Sequence, residues 1–334
     1  MIVLGFVDLS CPIVQSLIAV GIVGFFTLIA LLKFYAYVTC GRFASNRKMN
    51  GKTVIITGAT GGIGKETARD IAKRGAKLIL ACRNIENAEK VKDELIESTG
   101  NENIIVKKLD ISSLKSVREF AKDINSTENR LDVLIHNAGT AESKIKVTED
   151  GLELTMATNH FGPFLLTHLL IDLLKRSGPS RIVIVASELY RLAKVTTNNL
   201  NPINSYFPLF LYYVSKYANI YFTRELARRL EGTNVTANCL HPGMIDSGIW
   251  RNVPIPLNWG MMLIVKGFFK TPVQGCQTSV FLAASEEVEG VNGKYFMDCK
   301  ERGLSAAAMD MGKAKKIWEE SEKLVKLTNE DPRI

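Results

Sequence analysis

Apolar residues in this chain first cluster in one long run and then recur in short bursts separated by helical patterns. From Ile13 to Leu32 nearly every position is apolar. As a helix, such a run rises about 30 Å, close to the thickness of a bilayer's hydrocarbon core. Ser10 and Pro12 suit the start of that helix, and Phe34, Tyr35 and Tyr37 fall where interfacial aromatics sit. The run lacks the basic leader and the shorter apolar core of a cleaved signal. Residues 1–40 are therefore expected to form a membrane anchor, spanning once or entering as a hairpin, with a basic linker at 41–50.

From Gly51 onward short apolar runs occur at Thr53–Thr57, Lys77–Ala81, Ile104–Leu109, Asp132–Ile135, Arg181–Ala186 and Val235–Leu240, with a weaker one at Gly293–Met297. Helical patterns such as Lys65–Arg74 and Ser113–Ile124 lie between them. Repeated strand–helix units imply a parallel sheet covered on both faces. The expected fold class is α/β: one doubly wound domain over 51–309 with a mostly parallel, seven-stranded sheet. The charged stretch Asp310–Leu327 reads as a helix within a solvated extension, 310–334.

Composition narrows the classes. A hydrophobic content of 46% supports a sizeable core and excludes a mostly disordered chain. The net charge of +8 comes without an Arg/Lys run interleaved with stacking aromatics, so a membrane surface or phosphates account for it better than nucleic acid. Lys33, Arg42, Arg47 and Lys48 follow the apolar run, while Asp8 is the one charge before it. That bias places the domain on the cytosolic side. The six cysteines form no Cys-x-x-Cys pair and have no histidine at ligand spacing, so no metal site is expected.

The candidate chemistry begins at Thr57-Gly58-Ala59-Thr60-Gly61-Gly62-Ile63-Gly64, which follows the first strand. Gly58, Gly62 and Gly64 allow tight turning and close backbone approach to a pyrophosphate, with unpaired N–H groups of the next helix facing it. A P-loop is excluded because position 59 is Ala and Lys65 is followed by Glu66. The second strand ends in Cys82-Arg83. With no acid there for a ribose diol, Arg83 favours a 2′-phosphate, hence NADP(H) over NAD(H), unless it merely caps the strand at the surface. Asp110 suits a hydrogen bond to adenine, or a helix cap. Asn137, Ala138 and Gly139 end the fourth strand with small residues and one amide able to tie neighbouring strands. Tyr212 and Lys216, four apart on a helix, share one face. A cation there could draw the phenol from ~10 toward ~7, which requires about 4 kcal/mol of differential stabilisation.

Taken in order, Thr57–Gly64, Asp110, His136–Gly139, Asn159, Ser187, Tyr212–Lys216 and His241-Pro242-Gly243 resemble the short-chain dehydrogenase/reductase superfamily. Ala81–Asn84, Asn159–Gly162, Ser215–Asn219 and the long stretch between Ser187 and Tyr212 resemble its membrane-anchored retinol dehydrogenase branch. The resemblance implies a Rossmann domain and four catalytic residues: Asn159, Ser187, Tyr212 and Lys216. Tyr212 would exchange the proton with the carbonyl oxygen, Ser187 would hydrogen-bond that oxygen, and Lys216 would hold the nicotinamide ribose. Asn159 would position a water linking Lys216 to solvent. It also implies that Thr60, Gly61 and Ile63 join the phosphate turn, and that Pro242, Gly243 and Ser247 lie against the nicotinamide. His136 departs from the Asn often found at its position.

Leu189–Leu211 and the apolar Met244–Thr271 are expected to wall the substrate. The expected function is an NADP(H)-dependent, endoplasmic-reticulum membrane oxidoreductase interconverting a lipophilic alcohol, such as retinol, and its carbonyl. The rival is a catalytically idle nucleotide sensor or scaffold on the same fold.

Overall fold

The computed structural model describes residues 12–196, 199–204, 207–245 and 269–334, with only the backbone of 35 and 36. Helix α1, Pro12–Thr39, extends the apolar run by two turns. It is long and apolar enough to cross a membrane, and its hydropathic window is wholly exposed. At about 1.5 Å per residue it exceeds a bilayer core, leaving its last turns for the interface.

Seven parallel strands follow: β1 (Thr53–Thr57), β2 (Lys77–Cys82), β3 (Ile104–Lys108), β4 (Val133–His136), β5 (Ser180–Val185), β6 (Val235–His241) and β7 (Tyr295–Met297). Their order is β3-β2-β1-β4-β5-β6-β7. A two-residue β8, Lys300–Glu301, adds an antiparallel eighth strand that the expected seven omitted. Its exposed Lys and Glu give no apolar signal to read.

The strands are buried on both faces, and alternate residues feed two cores. Ile55, Ile79, Leu134 and Ile182 meet α4 (Leu114–Thr127), α6 (Gly162–Ser177) and α7 (Pro208–Arg229). Val54, Ile56, Leu80 and Val183 meet α2 (Gly62–Lys73), α3 (Ile85–Thr99) and α9 (Gln277–Ala284). Two further short helices lie among the described residues: α5 (Leu154–Met156), which runs into a π turn at Ala157–Phe161, and α8 (Pro272–Gly275). The strand order reverses between β1 and β4, so a crevice opens at their C-terminal ends, where ligands of such sheets bind.

The charged C-terminal stretch corrects the sequence reading. It forms α10, Met311–Leu324, but Ala314, Ile317, Trp318 and Ser321 are buried. The apolar positions fall at i, i+3 and i+4, which is one helical face. The indole of Trp318 packs edge-on to Phe164 at 4.9 Å and lies beneath the guanidinium of Arg229 at 4.4 Å. Its lysines and glutamates conceal a short seam, and the helix is part of the core rather than a solvated appendage.

Candidate active site

The turn after β1 is shaped by what it must pass. Gly58 has φ +69°, and a Cβ on it would lie 2.8 Å from the Cα of Ala138. Gly62, with φ +55°, starts α2, whose N-terminus has no side-chain cap. Its first N–H groups are therefore free to face an anion. Asn137 ties β4 to this turn by donating to the carbonyls of Thr57 at 3.0 Å and Gly58 at 3.1 Å. Thr57 replies with one hydroxyl, which accepts from the N–H groups of both Asn137 and Ala138 at 3.0 Å. Thr60 and Gly61 are exposed above, beside the partly exposed Ile63, and Gly64 is buried against Asn137. The cradle fits a dinucleotide pyrophosphate: glycines where a side chain would intrude, and unpaired amides beside it.

Arg83, at the end of β2, is exposed and near enough to help lower the Glu142 carboxyl, whose chief partner is Lys146. The carboxylate of Asp110 accepts from the N–H and hydroxyl of Ser112 at 3.0 and 2.6 Å. It does not cap α4; Ser113 does. Pro242 and the positive-φ Gly243 follow β6, with Gly243 against the stem of Lys270. Ser247 and most of the expected Met244–Thr271 wall lie outside the described residues.

Three of the expected catalytic side chains converge at the ends of β4 and β5. Ser187 follows β5, caps a 3-10 turn at Glu188–Leu192 and lies near enough to Tyr212 to help lower its phenol. Lys216, one turn along α7 from Tyr212, donates to the carbonyl of Val185 at 2.8 Å and stands 5.6 Å from the Tyr212 ring centroid. A Cβ built on Gly139 would lie 3.5 Å from the Lys216 ammonium and 3.4 Å from the Asn159 amide oxygen, so the strand end leaves room just there.

The electrostatics of the pair follow from burial. The protein's own groups push the Tyr212 hydroxyl up to about 12, through burial, against a smaller lowering influence of nearby Ser187. Burial also pushes Lys216 down, to about 8. With its ammonium turned to a carbonyl of β5, Lys216 does not by itself lower the phenol. The pair is poised by desolvation, which opposes charge on both groups.

Asn159 sits in the π turn, a geometry frequent at functional sites. Its side chain closes a ring of bonds with Thr140, accepting from the N–H at 2.8 Å and donating to the carbonyl at 2.9 Å. It also donates to Ser215, 2.9 Å away. Behind it, Asn219 donates to the main-chain carbonyl of Asn159, and the Asn219 oxygen meets Nδ1 of His160 at 3.2 Å. Since that oxygen can only accept, His160 is protonated at Nδ1, and its Nε2 stands 2.8 Å from the Ser321 hydroxyl of α10, which also reaches the Ile317 carbonyl at 2.7 Å. The sequence reading quoted Thr57, Ser215, Asn219 and His160 within its motifs but gave them no role. Asn219 stands three residues beyond Lys216, a helical spacing that could have placed it beneath the site.

Residues 52–256 match the family model for short chain dehydrogenases. Retinol dehydrogenase 14 of Mus musculus is 48% identical over 289 residues, covering 83% of this chain and 86% of its own. Retinol dehydrogenase 11 of Homo sapiens is 42% identical over 303 residues, covering 88% and 95%. A crystal structure of an uncharacterized protein from Mycobacterium paratuberculosis superposes with a TM-score of 0.67 at 30% identity, covering 84% of this chain and 95% of that one. The chain belongs to the short-chain dehydrogenase family, in its retinol dehydrogenase-like branch. The family fold carries a nicotinamide cofactor, in keeping with the cradle between β1 and β4.

Proposed function

We propose that the chain is an NADP(H)-dependent oxidoreductase that interconverts a lipophilic alcohol and its aldehyde or ketone, with retinol and retinal as the leading pair. The observation that carries this reading is the meeting of Ser187, Tyr212 and Lys216 beside Gly139, at the mouth of a dinucleotide cradle. Relatives named retinol dehydrogenases support the substrate class.

When bound, the nicotinamide supplies or accepts the hydride. The residues do the rest. Gly58, Thr60, Gly61, Gly62, Ile63 and Gly64 receive the pyrophosphate, Arg83 the 2′-phosphate, and Asp110 the adenine. Asn137, Ala138 and Gly139 leave space along the cofactor, with Pro242, Gly243 and Ser247 on the nicotinamide side. Ser187 donates to the substrate oxygen as negative charge grows there. Tyr212 gives that oxygen its proton in reduction and takes it back in oxidation. A phenol kept protonated by burial is suited to the first role. Lys216 holds the ribose hydroxyls. The second lone pair of the Asn159 carbonyl is left for a water toward solvent.

The membrane is the partner through α1. The basic residues after α1 support a domain facing the cytosol, and the branch supports the endoplasmic reticulum. The deciding experiment follows NADPH and NADH oxidation by the detergent-solubilised protein with retinal, isoprenoid, steroid and fatty aldehydes. Turnover with NADPH that vanishes in Tyr212→Phe, with NADPH binding intact, is the expected result. Full turnover in Tyr212→Phe would overturn the mechanism.

A further inference from the structure

The exposed apolar side chains of the catalytic domain are unevenly placed. Outside α1, seven large apolar residues are exposed among the described residues: Val147, Leu192, Phe207, Leu209, Met244, Val273 and Met309. All but Met309 lie on connections that leave the C-terminal ends of β4, β5 and β6, or in the first turn of the helix that follows. They therefore rim the same edge as the catalytic crevice. The opposite edge exposes Glu102, Arg130, Glu231 and Glu286, while charged Lys144, Lys146, Arg191 and Lys194 are interspersed with the apolar rim.

The end of α1 reaches this same edge. Its last residue, Thr39, leads into Cys40, which is buried, and Gly41, whose N–H donates to Asp298 at 3.2 Å, just past the C-terminal end of β7. The linker is not a free tether from there. The N–H of Phe43 donates to Gln277 at 3.0 Å, and its ring packs edge-on to Phe281 and under the guanidinium of Arg74. Arg74 in turn donates to the carbonyls of Ser45 and Arg47, and Met49 donates back to the Arg74 carbonyl at 2.7 Å. Arg42 lies 4.2 Å over the ring of Tyr37, a cation on an aromatic at the depth where such groups meet headgroups.

We propose that residues 40–49 act as a docked strap that holds the crevice-bearing edge of the domain against the bilayer, and that its apolar rim enters the lipid surface. An apolar rim flanking a membrane span has lipid as its nearest apolar phase, and each buried side chain adds to binding. The crevice mouth then opens toward the phase in which a lipophilic substrate dissolves. This rests on α1 lying in a membrane, and not on which carbonyl is reduced.

The test uses the full-length protein in phosphatidylcholine vesicles with brominated acyl chains. A bimane label is placed at Phe207→Cys or Val273→Cys, with Glu231→Cys as the reference on the opposite edge. The unsubstituted protein sets the background from native thiols. Quenching at the two rim sites and none at Glu231→Cys is the expected result. A Gly-Ser insertion between Ala44 and Ser45 should relieve rim quenching while α1 stays resistant to carbonate extraction; quenching that persists would overturn the part assigned to the strap. Rim labels quenched no more than the reference would overturn the proposal. So would labels that are shielded but unquenched, and that lose their shielding on dilution with lipid, because a second copy of the chain would then cover the rim. No arm depends on turnover, so failure here is distinct from failure of the oxidoreductase reading.

Discussion

The side-chain amide of Asn219 donates across 2.9 Å to the main-chain carbonyl of Asn159, joining α7, the helix of Tyr212 and Lys216, to the π turn. Two bonds point the same way, His160 to Asn219 and Asn219 to Asn159, and the Ser321 hydroxyl stands 2.8 Å from the other ring nitrogen of His160. Aligned donors polarise one another. Asn219→Ala leaves a buried carbonyl and the His160 N–H without partners, which costs roughly 1–3 kcal/mol. We expect a lower Tm and a fall in kcat larger than any rise in KM. An unchanged kcat in a variant with lowered Tm would limit Asn219 to a structural part.

Arg83 is exposed and stands at the end of β2, where a 2′-phosphate would lie. Arg83→Ala should weaken NADPH binding roughly tenfold, the range of one charge-assisted hydrogen bond near solvent, and leave NADH unchanged. Fluorescence titration of both nucleotides checks this. Equal losses for the two would remove Arg83 from the phosphate site.

All four histidines are buried, and burial is the main cause in each case. It pushes His136 down to about 3, and His160, His168 and His241 to about 4, from 6.5. Between 6.5 and about 4 the unfolded chain binds protons that the native state refuses. Stability is therefore full above 6.5 and falls with pH through that window, by about 1.4 kcal/mol per unit for each such residue. Melting temperatures should hold from pH 7.5 to about 6.5 and drop from there down to pH 5. A flat profile would show that these rings are solvated in the native state.

Trp318 fills the seam between α10 and α7. Trp318→Ala should destabilise by about 3–5 kcal/mol, the range for large-to-small changes in a core. Denaturant unfolding measures it, and a loss below about 1 kcal/mol would return α10 to the periphery.

Much of the architecture was legible because buried parallel strands write themselves as short apolar runs. Thr53–Thr57 falls where it was expected, and the other six parallel strands shift by no more than two residues at either end. The candidate site was legible where function demands a rare residue at fixed spacing, as with Tyr212 and Lys216. It was not legible where a common residue acts through a distant partner. Asn219 is an ordinary helical amide until the π turn brings Asn159 to it. The seam of α10 was hidden because Ile317 and Trp318 are diluted among charges, and the charge of Tyr212 because burial depends on what surrounds it.

The docking of α10 also has a consequence for biosynthesis. The anchor leaves the ribosome first, and the helix that backs the catalytic turn leaves it after every strand. In a chain halted before Met311, nothing would stand behind His160, and Phe164 and Phe222 would lose the cover of Trp318. Nonsense and frameshift products from that region should therefore accumulate as tethered, inactive protein that quality control must recognise by the bared faces of Phe164 and Phe222.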